Sequence, residues 1–327
     1  MSKRWVPAFL VLSTIWGSTF LLIKIAVTAG VPPMWVGAIR CLFGALALWG
    51  MVLVSRERVP RDPKVWGHTA VVALLLNSVP FPLFAFGETK ISSVLAGVWN
   101  ATTPLATLVF VLLLLPDERP SARRLFGMAT GFLGVLVVLG VWNGVESGPL
   151  IGTLSCLVAT TCYGAAFAYT RRFLAGRPES ATVLSAAQVT WGTVHLGLVA
   201  PLVEGIPQWP GWGAVAALVV MGALGTGLAY RLNFTVIRAA GSTVASTVTY
   251  VTPLFSTMLG AVFLQEPVGW NTASGAVLII FGVVLAQTVR QRPRPRQDTG
   301  REQDFDAVAD QERHHAVVQG GRQAGTG

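Results

Sequence analysis

Charge is scarce in this chain: 12% of its 327 residues are Asp, Glu, Lys or Arg, against roughly 25% in an ordinary soluble domain. So few charges cannot coat a soluble surface of this size, which excludes a soluble globular fold. Acids are scarcer than bases, 15 against 24, and none falls in the middle of an apolar tract. Glu88 is assigned to the outer end of its segment, and Glu118 and Glu266 follow theirs; carboxylate-based proton coupling is therefore disfavoured. The three cysteines, Cys41, Cys156 and Cys162, sit inside apolar tracts with no C-x-x-C pair and no His/Cys set at ligand spacing, which excludes disulfide and zinc frameworks. There is no P-loop, no H-E-x-x-H and no acid beside a histidine within the apolar tracts. Intramembrane enzyme chemistry lacks its usual groups, and no cofactor or metal is expected.

What is abundant is apolar sequence, 53% of residues. A bilayer core takes about 20 apolar residues per helix, and ten such segments emerge at 5–28, 33–54, 66–87, 91–115, 123–142, 149–170, 181–203, 211–231, 239–264 and 270–289. The first is too long for a secretory signal, carries Lys24 and lacks a small-residue cleavage site, so it reads as a retained helix. The formal charge of +9 would suggest nucleic acid in a soluble protein. Here its location decides otherwise. With the N-terminus inside, the cytoplasmic loops carry Arg56, Arg58, Arg61 and Lys64; Arg119, Arg123 and Arg124; Arg171, Arg172 and Arg177; and Arg231 with Arg238. The opposite loops offer Lys90, with Lys24 near a helix end. This bias assigns both termini to the cytoplasm, and no nucleic-acid partner is expected. After Val289 the composition becomes polar, with arginines and acids nearly balanced and little that could form a core; residues 291–327 read as a disordered cytoplasmic tail.

The segments repeat. Ser13, Trp16, Gly17, Phe20 and Lys24 correspond to Thr160, Tyr163, Gly164, Phe167 and Arg171 at a constant offset of 147. Arg40, Phe43 and Gly44 correspond to Gln188, Trp191 and Gly192; Asn100, Thr103 and Pro104 to Thr249, Thr252 and Pro253; Gly127 and Gly134 to Gly275 and Gly282. Five helices per half is an odd number, so the second half must enter the membrane inverted. The loops agree, because the arginine-rich stretch around Arg56 corresponds to one around Glu204 that has no Lys or Arg. The expected fold is all-α integral membrane: ten transmembrane helices as two inverted five-helix repeats, 1–147 and 148–290, N-in and C-in. Inverted repeats supply the two related conformations that alternating access requires.

Trp16-Gly17-Ser18-Thr19-Phe20 with Lys24, Arg40, and Pro104 followed by Glu118, together with Pro253, Glu266, Gly275 and Gly282 in the second half, resemble the EamA family of the drug/metabolite transporter superfamily. The resemblance covers roughly residues 5 to 290, and departs at Tyr163, where the family has Trp, and at Gln188, where it has Arg. It implies a permease of the cytoplasmic membrane that exports amino acids or other small metabolites through a central cavity. Uptake, exchange or drug efflux is the alternative within transport; a structural or signalling membrane protein is the alternative outside it.

Polar side chains in a bilayer face the protein interior or a water path, which selects the candidate substrate-binding set. Arg40 is the arginine furthest from a helix end and pairs either with a substrate carboxylate or with neighbouring helices. Trp16 shares a stripe with Ser13, Phe20 and Lys24, and its counterpart Tyr163 would face it; both fit a ligand wall or simple packing. Lys24 and Arg171 read as snorkelling side chains. Pro104 and Pro253 are expected to kink their helices and free the carbonyls of Asn100 and Thr249, with Ser246, Thr249 and Ser256 on one stripe and Tyr250 adjoining. Gln188 completes the set with His195, one face-repeat further on and the natural proton-coupling group, or a packing residue. Tyr230 and Asn233 read as interfacial, and Asn77 has no identifiable partner. The partners expected are a small-molecule solute, the bilayer, and a proton or counter-solute.

Overall fold

The computed structural model describes residues 5–91, 93–115, 121–143, 149–264 and 269–287. The tail 291–327, Lys3, Arg4, Glu118, Arg119 and Glu266 lie outside them. The chain divides into a unit spanning Met1–Val289 and a second, Arg290–Gly327; all that follows concerns the first.

Helices account for nearly all the described residues, and no strand occurs among them. In order they are α1 (Val6–Thr28), α2 (Pro33–Val54), α3 (Pro63–Ala73), α4 (Pro80–Lys90), α5 (Ser93–Asn100), α6 (Thr103–Leu114), α7 (Ala122–Val138), α8 (Leu150–Phe173), α9 (Ala181–Glu204), α10 (Trp212–Val220), α11 (Ala229–Ala240), α12 (Ser242–Ser246), α13 (Val248–Leu264) and α14 (Trp270–Gln287). Proline opens α2 and α3, where its missing N–H would have been unpaired anyway; Pro80 opens α4 within the continuous span Pro63–Lys90. Asp62, Ser121 and Ser180 cap α3, α7 and α9 by accepting from the backbone N–H of Lys64, Arg124 and Val183.

Seven helical spans are long and apolar enough to cross a membrane: Val6–Thr28, Pro33–Val54, Pro63–Lys90, Ala96–Leu114, Leu150–Phe173, Ala181–Glu204 and Trp212–Ala240. The other three expected segments are shorter. α7 and α13 have 17 residues each, at the lower bound of roughly 17 to 25 for a crossing helix, and the apolar part of α14 runs Trp270–Ala286.

Two spans contain wide turns. Leu74–Ser78 joins α3 to α4, and Met221–Leu228 joins α10 to α11, each as a π-helix whose hydrogen bonds reach one residue further than in an α-helix. These turns occupy corresponding positions of the sequence repeat. Two further spans are broken: α5 ends at Asn100, two residues before α6, and α12 ends at Ser246, one residue before α13.

Packing respects the repeat. α1 lies against α13, and its counterpart α8 against α6; α1 meets α10 and α11, while α8 meets α3 and α4. α2 packs on the wide turn Met221–Leu228 and α9 on Leu74–Ser78. Two pairings map onto themselves, α2 with α9 and α7 with α14. The last rests on small residues that bring backbones together: a Cβ added at Gly127 would lie 2.7 Å from the Gly282 carbonyl oxygen, and one at Gly275 would lie 2.7 Å from that of Gly134.

Candidate functional site

At the centre of these pairings is a cavity of roughly 80 Å³, room for several waters. Trp16, Thr19 and Ile23 of α1, Arg40 of α2, Phe81 and Phe84 of α4, Asn100 of α5, Tyr163 and Phe167 of α8, Tyr230 of α11, and Thr249 and Thr252 of α13 line it, with Leu76 of the first wide turn. Five of the eight substrate-binding candidates are therefore brought together: Trp16, Arg40, Asn100, Tyr163 and Thr249. They include two repeat-related pairs, Trp16 with Tyr163 and Asn100 with Thr249, so both halves contribute equivalent positions to one cavity.

Arg40 is the one charged residue among those lining the cavity, and 5% of it is exposed. Its guanidinium carbon sits 3.7 Å from the centroid of the Phe81 ring, a cation–π contact strengthened by desolvation. Its Nε donates to Thr226 Oγ1 at 3.2 Å, which fixes the side chain to the second wide turn. Trp16 does the same from α1, its indole Nε1 donating to the Gly225 carbonyl at 3.1 Å. Tyr163 stacks on Phe84, 5.6 Å between centroids.

Gln188, the counterpart of Arg40, does not reach the cavity. Its Nε2 donates to Asn77 Oδ1 at 2.8 Å, and Asn77 Nδ2 donates to the Tyr230 hydroxyl at 3.2 Å. Tyr230 in turn donates to the Leu76 carbonyl at 3.1 Å. Asn77, without an identifiable partner in the sequence, is thus the hub that ties α9 and α11 to the first wide turn. Arg40 to Thr226 and Gln188 to Asn77 are the same connection in the two halves, each running from the second helix of one half to the wide turn of the other.

Tyr250 and His195 also lie away from the cavity. Tyr250 is wholly buried, its ring against Gly131 of α7, and its hydroxyl has no partner among the described residues. Thr249 and Tyr250 are consecutive in a helix, so one facing the cavity turns the other about 100° away. His195 Nδ1 lies 3.0 Å from Ser78 Oγ, and its ring stacks on Trp191. The side chain of Ser256 lies outside the described residues.

Pro253 stands inside α13, whereas the expectation changes for Pro104. The helix has already ended at Asn100, so Pro104 stands in the first turn of α6, and the Asn100 carbonyl accepts from Thr103 Oγ1 at 2.7 Å.

Two residues carry more than their sequence position suggested. Tyr230, read as interfacial, is buried and lines the cavity. Glu88, assigned to an outer helix end, is 2% exposed, and neither carboxylate oxygen has a hydrogen-bond partner among the described residues. The aromatic wall of Phe81, Phe84 and Phe167 was invisible in apolar tracts, where cavity and packing aromatics look alike.

The α2–α9 pair is fastened at both ends. At one, Glu204 accepts from the Met34 N–H at 3.0 Å and the Trp35 indole donates to the Gly205 carbonyl at 2.7 Å. At the other, Ser180 Oγ donates to Glu57, Arg177 pairs with Asp62 at 2.9 Å, and Arg238 donates to the carbonyls of Arg177 and Glu179. Outside the spans, the Lys64 backbone N–H and then the Arg177 guanidinium hold the Asp62 carboxyl below its usual range.

Comparison with known proteins agrees with this architecture. The profile of the EamA-like transporter family matches residues 3–140 and again 150–288. An uncharacterized transporter of Bacillus subtilis, YoaV, is 23% identical over 274 residues, covering 83% of this chain and 92% of its own. The uncharacterized inner membrane transporter YedA of Escherichia coli K12 is 26% identical over 286 residues, 85% and 89% of the two chains. An uncharacterized transporter of Archaeoglobus fulgidus is 25% identical over 293 residues, 89% of this chain and all of its own. A solved crystal structure shares the fold with a TM-score of 0.73, at 20% identity over 88% of this chain and 97% of that one. Helices suited to crossing a membrane and a double match to one profile have a single consequence: this is a multi-pass membrane protein, and the chain belongs to the EamA-like transporter family.

Proposed function

We propose that this protein exports amino acids or related carboxylate-bearing metabolites across the cell membrane by alternating access at the Arg40 cavity. The helices are read as ten crossings in two inverted halves, 1–147 and 148–290, with both termini and the tail in the cytoplasm, as the loop charges favour. Arg40 carries the reading. A buried guanidinium that is the cavity's one charged lining group is suited to a solute carboxylate, which it can bind through charge-assisted hydrogen bonds. Trp16, Tyr163, Phe81 and Phe84 supply apolar faces for the rest of a small solute. The two fastened ends of the α2–α9 pair support alternation, because releasing one while the other holds would open the cavity to one side at a time.

The test is counterflow in proteoliposomes against a panel of labelled amino acids and non-carboxylate analogues. Carboxylate solutes are expected to exchange and their amides not to. Loss of a hydrogen bond to a charged group is worth about 1.5–3 kcal/mol, so Arg40→Gln should weaken solute affinity by about ten- to a hundredfold, with Arg40→Lys between. Unchanged affinity in Arg40→Gln refutes the assignment, and a panel in which no solute moves refutes transport.

A further inference from the structure

Glu88 is the buried charge-bearing group that the cavity does not use. It lies on α4 seven residues after Phe81 and four after Phe84, both of which line the cavity, so the three share a helix face. The groups with charge or titratable protons around it are Lys24 of α1, Arg40 of α2 and Cys156 of α8, together with Lys90 on its own helix and Tyr163 stacked on Phe84. Cys156 belongs to an apolar cluster with Phe84, Ile91, Ala96 and Ala159, against which Trp99 packs, and the Trp99 indole N–H is likewise without a partner among the described residues. An ionised carboxylate held without hydrogen bonds in such a place is far more costly than the neutral acid. Ionisable groups within membrane helices serve as proton relays.

We propose that Glu88 binds the proton that accompanies the solute, a reading that rests on transport at the Arg40 cavity. Both Glu88 and a solute carboxylate draw on the field of Arg40. When Glu88 takes a proton, its negative charge disappears and Arg40 is left to attract the solute anion. Proton and solute are therefore held together, the carboxylate becoming a carboxylic acid on loading and releasing the same proton on unloading. Net flux follows the sum of the two gradients, so a high internal solute concentration drives both outward.

The experiment uses the full chain in proteoliposomes with labelled amino acids. Counterflow at equal pH on both sides requires no net proton movement and is expected in the wild type, Glu88→Asp and Glu88→Gln alike. Accumulation with an alkaline lumen is the discriminating arm. With the membrane potential clamped at zero and one proton per solute, it should reach about tenfold per unit of pH difference in the wild type, persist in part in Glu88→Asp and fall to the no-gradient level in Glu88→Gln. Gradient-driven accumulation by Glu88→Gln equal to the wild type overturns the proton role while transport stands. Absence of wild-type counterflow overturns transport, and the coupling with it.

Discussion

The hub at Asn77 gives the sharpest test of the architecture. Replacing Asn77 with Ala removes the bond from Gln188 at 2.8 Å and the bond to Tyr230 at 3.2 Å. Hydrogen bonds between membrane helices contribute on average about 0.6 kcal/mol and at most about 1.7. The larger effect falls on Gln188, which is fully buried and whose Oε1 already has no partner among the described residues. Stranding its amide N–H adds about 1–3 kcal/mol, for a total loss of about 2–4 kcal/mol. Tyr230 keeps its bond to the Leu76 carbonyl and is not stranded. Gln188→Met alone keeps the bond from Asn77 to Tyr230 but leaves the buried Asn77 Oδ1 without its donor, and should cost about 1–3 kcal/mol. In the double variant no amide is stranded, so it should cost no more than Asn77→Ala alone, giving a coupling of at least about 1 kcal/mol. Reversible unfolding of the four proteins in mixed detergent and dodecyl sulfate micelles measures it. Additivity within about 0.5 kcal/mol would refute the bond, since independent sites behave that way.

Two further outcomes follow from the packing and the loops. In Gly134→Ala the new Cβ would lie 2.7 Å from the Ile279 backbone nitrogen, so α7 and α14 must separate; overpacking of this kind costs about 1–3 kcal/mol, and a lower melting temperature in detergent checks it. Asp62 is held below the usual carboxylate range, so its stabilising contribution is complete above that range and is lost as pH falls through the lowered value. Asp62→Asn should accordingly flatten the acid side of the melting-temperature profile while leaving its neutral side parallel to the wild type.

The repeat makes much of this legible in the sequence. Trp16 and its counterpart Tyr163 stand on a helical stripe, and Asn100 and Thr249 stand four residues before repeat-related prolines; these positions are readable because a site between two halves draws on both. Gln188 fails by the same logic: it holds the place of Arg40 but is too short and uncharged to do more than meet Asn77. Tyr250 was chosen for its neighbour, yet adjacency in a helix means facing elsewhere. The wide turns left no mark in composition, because an extra backbone residue changes hydrogen bonding and not hydropathy. Glu88 does stand in the last turn of α4; its burial was not readable because position along the chain does not show that α8 packs over that helix end.

The wide turns also bear on history. Leu74–Ser78 and Met221–Leu228 stand at matching places in halves whose sequences have otherwise drifted, Asn77 and Ser78 against Gly225 and Thr226. An inserted residue in a packed helix is hard to gain and hard to lose, since either change slips every side chain beyond it by about 100°. A turn already present in one repeating unit accounts for both with a single event, and each half uses its turn to hold the second helix of the other.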